Sequence, residues 1–286
     1  MIIAVTCSTG AFSRDPDVVD AAGIVAAARR VDADGFELLS YPAFADDPKD
    51  STSIFSRSGL PWTSVHAGKA IGPLLSSGTA DDRRRALALL DADLRLATAL
   101  GVEIAVLHLW GMPDSDRRFP SNLAAVSDCL DHAERFGVTL GIETIPCLEA
   151  TPLARLSELQ RRDPRCRWTL DTEFLALHDE LDLALADADL FAGTKIIHVK
   201  DYDGEFVDRQ GRRRYLHPGQ GRLDLAAVAE AAASSSSSIR LCLESSSVRP
   251  DGSIDLGQVN ADLDTLRGFV PLTSTAGVSA SRRPGP

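Results

Sequence analysis

The chain has 286 residues, 44% of them hydrophobic and 25% charged, with a formal net charge of −11. That length allows one large α/β domain or two small ones, and the balance is that of a globular protein with a sizeable core. The acidic surplus argues against a nucleic-acid partner, whose phosphates call for a basic face, and the short run Arg212, Arg213 and Arg214 reads first as a solvated loop.

The chain opens on MIIAVTCSTG, which lacks the basic and long apolar regions of a signal peptide. Within it, IIAVTC (2–7) is the first of eight short runs that read as strands. DPDVVDAAGIVAAARRVDA follows as a helix, with Asp15 as N-cap and Pro16 in the first turn. GFELLS (35–40) and WTSVHA (62–67) are the second and third strands. TADDRRRALALLDADLRLATALG predicts a helix that starts at Thr79 and Asp81 and stops at Gly101. After VEIAVLHL (102–109), PSNLAAVSDCLDHAERFG predicts a helix closing on Gly137. VTLGIET (138–144), RWTLDT (167–172), KIIHVKD (195–201) and IRLCLES (239–245) complete the set, with Ser234–Ser238 expected as a loop before the last. From residue 271 the sequence loses apolar periodicity, so the expectation is one domain over 1–270 and a disordered tail over 271–286. No stretch reaches the roughly 18 apolar residues of a membrane span. The five cysteines (Cys7, Cys129, Cys147, Cys166, Cys242) show no CxxC pair or disulfide spacing, and a reducing cytoplasm fits best.

Successive strand starts fall roughly 25 to 45 residues apart, the length of a βα unit. Each run is apolar on both faces, as strands covered on both sides should be. Eight such units fit a single (β/α)8 TIM barrel of about 250 residues. An open doubly wound sheet would announce its first turn with a glycine-rich phosphate loop, and that turn reads CSTGAFSRD instead.

In a parallel barrel the C-terminal ends of the strands converge on one mouth, where active sites sit. Glu37, His66, His108, Glu143, Asp171, His198 and Glu244 each stand near the end of an apolar run. A single strand-terminal carboxylate is more often a cap or an ion-pair partner. Several facing one another would repel and resist burial, and a divalent cation removes both difficulties. Glu143, Asp171, His198 and Glu244, from the last four strands, form an oxygen-rich shell with one imidazole. Such a shell suits Mn²⁺, Mg²⁺, Co²⁺ or Fe²⁺, and Zn²⁺ less distinctively. His132 and His178, on predicted helices, read as surface residues.

The motifs DGFELL, SVHAG, VLHLWG, GIET, LDTEF, IHVKD, PGQGRLDL and LCLES make the chain resemble the sugar isomerase/epimerase superfamily, the xylose-isomerase-like barrels. The resemblance runs to about residue 270, and IHVKD with PGQGRLDL is its most specific part. It implies that Glu143, Asp171, His198 and Glu244 are the metal ligands, with Mn²⁺ first among the candidates, and that Glu143 and Glu244 also exchange protons with substrate. It further implies substrate contacts for His66 and His108 and places His217 where relatives set a basic contact. Strand alternation puts Lys200 on the inward face with His198, and Trp110 and Glu37 join the candidate substrate contacts. Many relatives carry a histidine three residues after the strand-six aspartate, where this chain has Phe174. That departure, with no evident Asp-x-His, argues against the three-metal endonuclease branch.

The function these features imply is metal-dependent isomerisation or epimerisation of a sugar, keto-sugar or cyclitol through an enediolate. A lyase of dehydratase or C-glycoside-cleaving type shares the first proton abstraction and is the alternative. A non-catalytic sugar-binding barrel or an abasic-site endonuclease is less favoured. The expected partner is a small sugar or cyclitol, with no nucleic acid and no membrane; a homo-oligomer is compatible with the sequence.

Overall fold

The computed structural model describes residues 3–13, 20–46, 48–249 and 251–271. Its eight strands are β1 (Val5–Ser8), β2 (Phe36–Leu39), β3 (Trp62–His66), β4 (Ile104–Leu107), β5 (Thr139–Glu143), β6 (Arg167–Asp171), β7 (Thr194–Val199) and β8 (Arg240–Leu243). All pair in parallel, each with its sequence neighbour, and β8 closes on β1. The closed (β/α)8 barrel expected from the spacing is therefore present. Each strand is shorter than its apolar run. Residues 272–286, most of the expected tail, lie outside the described residues.

The helices form where local chemistry directs. The first, α1 (Ala21–Ala28), is capped by Asp20, which accepts from the Gly23 N–H; Asp15 and Pro16, expected to start it, lie outside the described residues. Two short helices, α2 (Pro42–Asp46) and α3 (Pro48–Ser56), follow β2, and α4 (Ile71–Ser76) follows β3. The long α5 (Ala80–Leu100) begins at Thr79, whose side chain takes the Asp82 N–H, and ends at Gly101 with φ of 70°. Only glycine adopts that left-handed turn at no steric cost. Next come α6 (Phe119–Arg135) and α7 (Pro152–Arg162). After β6 lie α8 (Thr172–Leu177), α9 (Leu181–Ala186) and α10 (Ala188–Gly193). The last two are α11 (Leu225–Ser234), which takes Ser234 out of the expected loop, and α12 (Leu256–Phe269). Among the described residues no helix is long and apolar enough to cross a membrane. All five cysteines are buried and unpaired.

The main core lies between barrel and helices, where Leu90 and Leu94 of α5 meet the outward faces of the strands. Inside the barrel a second, small cluster joins Val106, Ile196 and Cys242. These three stand two residues before His108, His198 and Glu244. The strand period of two then sets each polar residue directly above an apolar one on the inward face. The barrel interior is thus an apolar plug with an ionisable layer on top.

Candidate metal centre at the barrel mouth

Two register irregularities aim the polar layer. Phe36 pairs with Trp62 but Glu37 with Ser64, and Trp168 pairs with Thr194 but Thr169 with Ile196. Each skips one residue, as a β-bulge does, and a one-residue step reverses which face a side chain takes. The first brings Glu37 beside Ser64, and the second brings Asp171 opposite His198.

The four expected ligands converge. Glu143, Asp171, His198 and Glu244 each offer an atom within 4.8 Å of the others', and all four are buried. His198 Nδ1 lies 3.0 Å from Glu143 Oε1 and 3.6 Å from Glu244 Oε2. Its Nε2 lies 3.1 Å from Glu37 Oε1. On the other side of Glu143, Oε2 meets His108 Nε2 at 2.6 Å and His66 Nε2 at 3.2 Å. The His66 ring stacks on His198 with 5.9 Å between centroids and 13° between planes.

Lys200 stands on the inward face as alternation predicted. Its Nζ is 2.5 Å from both Asp171 Oδ2 and Glu244 Oε2, and 4.6 Å from the centre of the Phe174 ring. The aromatic residue three positions after Asp171 thus roofs an ammonium ion, a favourable placement for a positive charge.

The charges hold one another in unusual states. Burial raises the Glu143 carboxyl, but His108 and His198 more than offset it and leave it well below the usual range. Burial likewise opposes ionisation of Glu244, and Lys200 and His198 overcome it. Burial pushes Asp171 up to about 6, with Glu143 and Glu244 adding to the rise against the pull of Lys200. Burial pushes the His108 imidazole down to about 4. For His198 burial acts in the same sense, but Glu37, Glu143 and Glu244 outweigh it and raise the imidazole well above its ordinary value.

These residues fit a divalent cation. Asp171 Oδ2 is buried with the Lys200 ammonium against it. Three buried carboxylates and an imidazole, each offering a donor atom within 4.8 Å of the others, make the oxygen-rich set that a hard-to-borderline divalent cation takes. Glu143, Asp171, His198 and Glu244 are the residues that would hold it.

The other candidates fall in different places. Glu37 is fully buried, bonded to His198 and to the Ser64 hydroxyl at 3.0 Å. Trp110 is fully buried and packs edge-on against Phe119 at 5.5 Å. His217 turns toward α12, with Nδ1 2.6 Å from Asp262 Oδ2. The arginine run is not simply solvated. Arg212 pairs with Asp208 and Arg214 with Asp203 and Glu205, while Arg213 pairs with the buried Glu173 and lies 3.7 Å over the Phe206 ring. His132 bonds Asp91 at 2.6 Å, and His178, just past α8 and half-buried, accepts the Cys147 N–H at 3.1 Å. Neither is the plain surface residue expected.

Sequence reading missed the reason for the IHVKD…PGQGRLDL pairing. The Asp201 carboxylate accepts the backbone N–H groups of Tyr202, Gly219, Gly221 and Leu223 at 2.8–3.1 Å. A Cβ at Gly221 would stand 2.3 Å from Asp201 Oδ1 and 2.6 Å from Tyr202 O, so only glycine fits. The signal was legible as an aspartate followed by a glycine-rich turn, but three of its four partners lie 18 to 22 residues on.

A closed parallel barrel with an acid-and-imidazole cluster at its mouth defines a class of (β/α)8 proteins with a candidate metal centre. The sequence matches the xylose isomerase-like TIM barrel family over residues 25–267, and the chain belongs to that family. Similar solved structures include L-ribulose 3-epimerase, at 17% identity and a TM-score of 0.65 over 93% of this chain and 96% of that one. D-allulose 3-epimerase from Methylomonas sp. is 19% identical, with a TM-score of 0.67 over 94% and 98%. The 3-keto-D-glucoside 4-epimerase of E. coli is 19% identical, with a TM-score of 0.64 over 94% and 99%. Comparison with curated proteins finds no match.

Proposed function

We propose that this chain is a divalent-metal-dependent isomerase or epimerase of a sugar, keto-sugar or cyclitol. The observation that carries the reading is the convergence of Glu143 and Glu244, both held ionised, with Asp171 and His198 in one buried cluster. The names of the similar structures, three of them epimerases acting on ketoses or a keto-glucoside, support the substrate class. A divalent ion at the cluster supplies Lewis acidity, which polarises a carbonyl and acidifies the adjacent C–H.

The chain's own residues then do the following. Glu143 and Glu244 are the proton-transfer pair: one carboxylate removes the proton α to the carbonyl and later gives it up to solvent, while the other takes a proton from solvent and delivers it to carbon. Return to the neighbouring carbon is isomerisation, and return to the opposite face is epimerisation. His108, neutral at pH 7 and 2.6 Å from Glu143, donates to that carboxylate and keeps it oriented. The Lys200 ammonium, shared by Asp171 and Glu244, offers a donor to a substrate oxygen. Phe174 and Phe206, 6.1 Å apart, give that side of the mouth an apolar wall.

The test is a screen of ketoses, inososes and 3-keto sugars with Mn²⁺ in D₂O, read by deuterium incorporation at the α-carbon. Exchange with conversion to an isomer or epimer is expected. Loss of water or of a glycosyl group after exchange would replace the reading with a lyase, and no exchange with any substrate would overturn it.

A further inference from the structure

We infer that Glu37 is a positioning residue, whose carboxylate holds the Nε2–H of His198 and so leaves the Nδ1 lone pair to an ion held by the other three ligands. This rests on the metal reading and gives Glu37 a role other than substrate contact.

The geometry runs as one chain across the barrel. The Ser64 hydroxyl donates to Glu37 Oε2 at 3.0 Å. His198 Nε2 straddles the same carboxylate, 3.1 Å from Oε1 and 3.3 Å from Oε2. The opposite ring nitrogen faces Glu143 and Glu244. A carboxylate only accepts, so in the metal-free protein each ring nitrogen carries a proton, Nε2 facing Glu37 and Nδ1 facing Glu143. An ion held by Glu143, Asp171 and Glu244 would displace the Nδ1 proton, whereas the Nε2 proton, outside that ligand set, would stay with Glu37 and leave the Nδ1 lone pair to the ion. Metal-binding imidazoles characteristically give their second N–H to a carboxylate in this way, which sets ring orientation and raises ligand basicity.

Three further features serve the same contact. The β-bulge between β2 and β3 places Glu37 beside Ser64, where unbroken register would pair it with Thr63. The stacked His66 ring covers one face of His198 and opposes its rotation. Glu37 and His198 are both fully buried, so water does not compete for the bond. A buried carboxylate this close to the ligands yet held on the far side of the imidazole acts through it.

The experiment titrates Mn²⁺ into the full chain by calorimetry, for wild type, Glu37→Leu and Glu37→Gln. Wild type is expected to bind one ion. Glu37→Leu should bind it about 10- to 100-fold more weakly. Glu37→Gln should fall between, because its amide oxygen still accepts from Nε2–H without the charge. A nitrogen-edited NMR spectrum of the Zn²⁺-loaded protein should show a solvent-protected His198 Nε2 proton in wild type that is lost in Glu37→Leu. A merely structural role would lower thermal stability without moving that resonance. Wild-type affinity in a folded Glu37→Leu overturns the inference and leaves the metal site standing. If the leucine variant does not fold, wild-type affinity in Glu37→Gln overturns it equally. Absence of Mn²⁺ binding by the wild type overturns the metal reading, and the inference with it.

Discussion

Glu244 shows how one residue is tuned by its surroundings. It is buried beside other carboxylates, which by itself would favour the protonated acid. The Lys200 ammonium at 2.5 Å reverses that preference, and the result is a dehydrated carboxylate, ionised and ready to accept a proton. If Glu244 is one of the two proton-transfer groups, Glu244→Gln should keep the fold but slow solvent-hydrogen exchange at the substrate α-carbon by about 100- to 10,000-fold. Exchange at the wild-type rate under saturating Mn²⁺ would sink the assignment. Lys200 and Phe174 belong to the same scale. A histidine at the Phe174 position would compete for a proton beside the ammonium, whereas an aromatic ring stabilises it. Phe174 and Lys200 therefore form a pair.

Among the elements, the connections after the strands show the most design. Asp116, on the loop after β4, accepts the N–H groups of Leu148, Glu149 and Ala150 and pairs with Arg155 at 2.7 Å. It thus fixes the loop that leaves β5 just past Glu143. Burial raises its carboxyl, but the Glu149 and Leu148 N–H groups and Arg155 more than offset this, leaving it below the usual range. A carboxyl depressed in the folded state stabilises the fold fully above its unfolded pKa of about 3.9 and loses that contribution as pH falls through the folded value. Asp116→Asn should therefore cost about 1–3 kcal/mol at pH 7. Its stability should also change less than wild type's between about pH 5 and pH 2. Denaturant titrations across that range give the answer, and an unaltered slope would remove Asp116 from the account. Asp201 works in the same manner after β7, where its four accepted N–H groups shape the turn that α11 leaves from.

For the whole molecule, the barrel concentrates charge that the unfolded chain would keep apart. Glu37, Glu143, Asp171 and Glu244 meet at its mouth, with Lys200 and the proton-bearing His198 as counter-charges. An ion that binds only this assembled state stabilises it by mass action, by about 2.7 kcal/mol at a hundred times its Kd. For a domain near this size that is roughly 5–10 °C in Tm. Mn²⁺ should raise the melting temperature by that order and EDTA should reverse it; a wild-type Tm indifferent to both would contradict a metal centre.

Sequence by itself determined the strand order, the barrel and which residues of the last four strands face inward. The physical reason is that these are local: an apolar run, a helix cap such as Thr79, a C-terminal glycine such as Gly101 and the period of two are each written within a few positions. It also placed Lys200 beside His198 for the same reason. Tertiary structure alone decided the pairings across the barrel. Glu37 and His198 are 161 residues apart and meet because two bulges shift the register by one residue, which no local pattern announces. The turn of His217 toward Asp262, the burial of Trp110 against Phe119 and the binding of Arg213 to Glu173 were illegible likewise. Each depends on which side chain from a distant element arrives first at a buried partner, and closure of the barrel settles that.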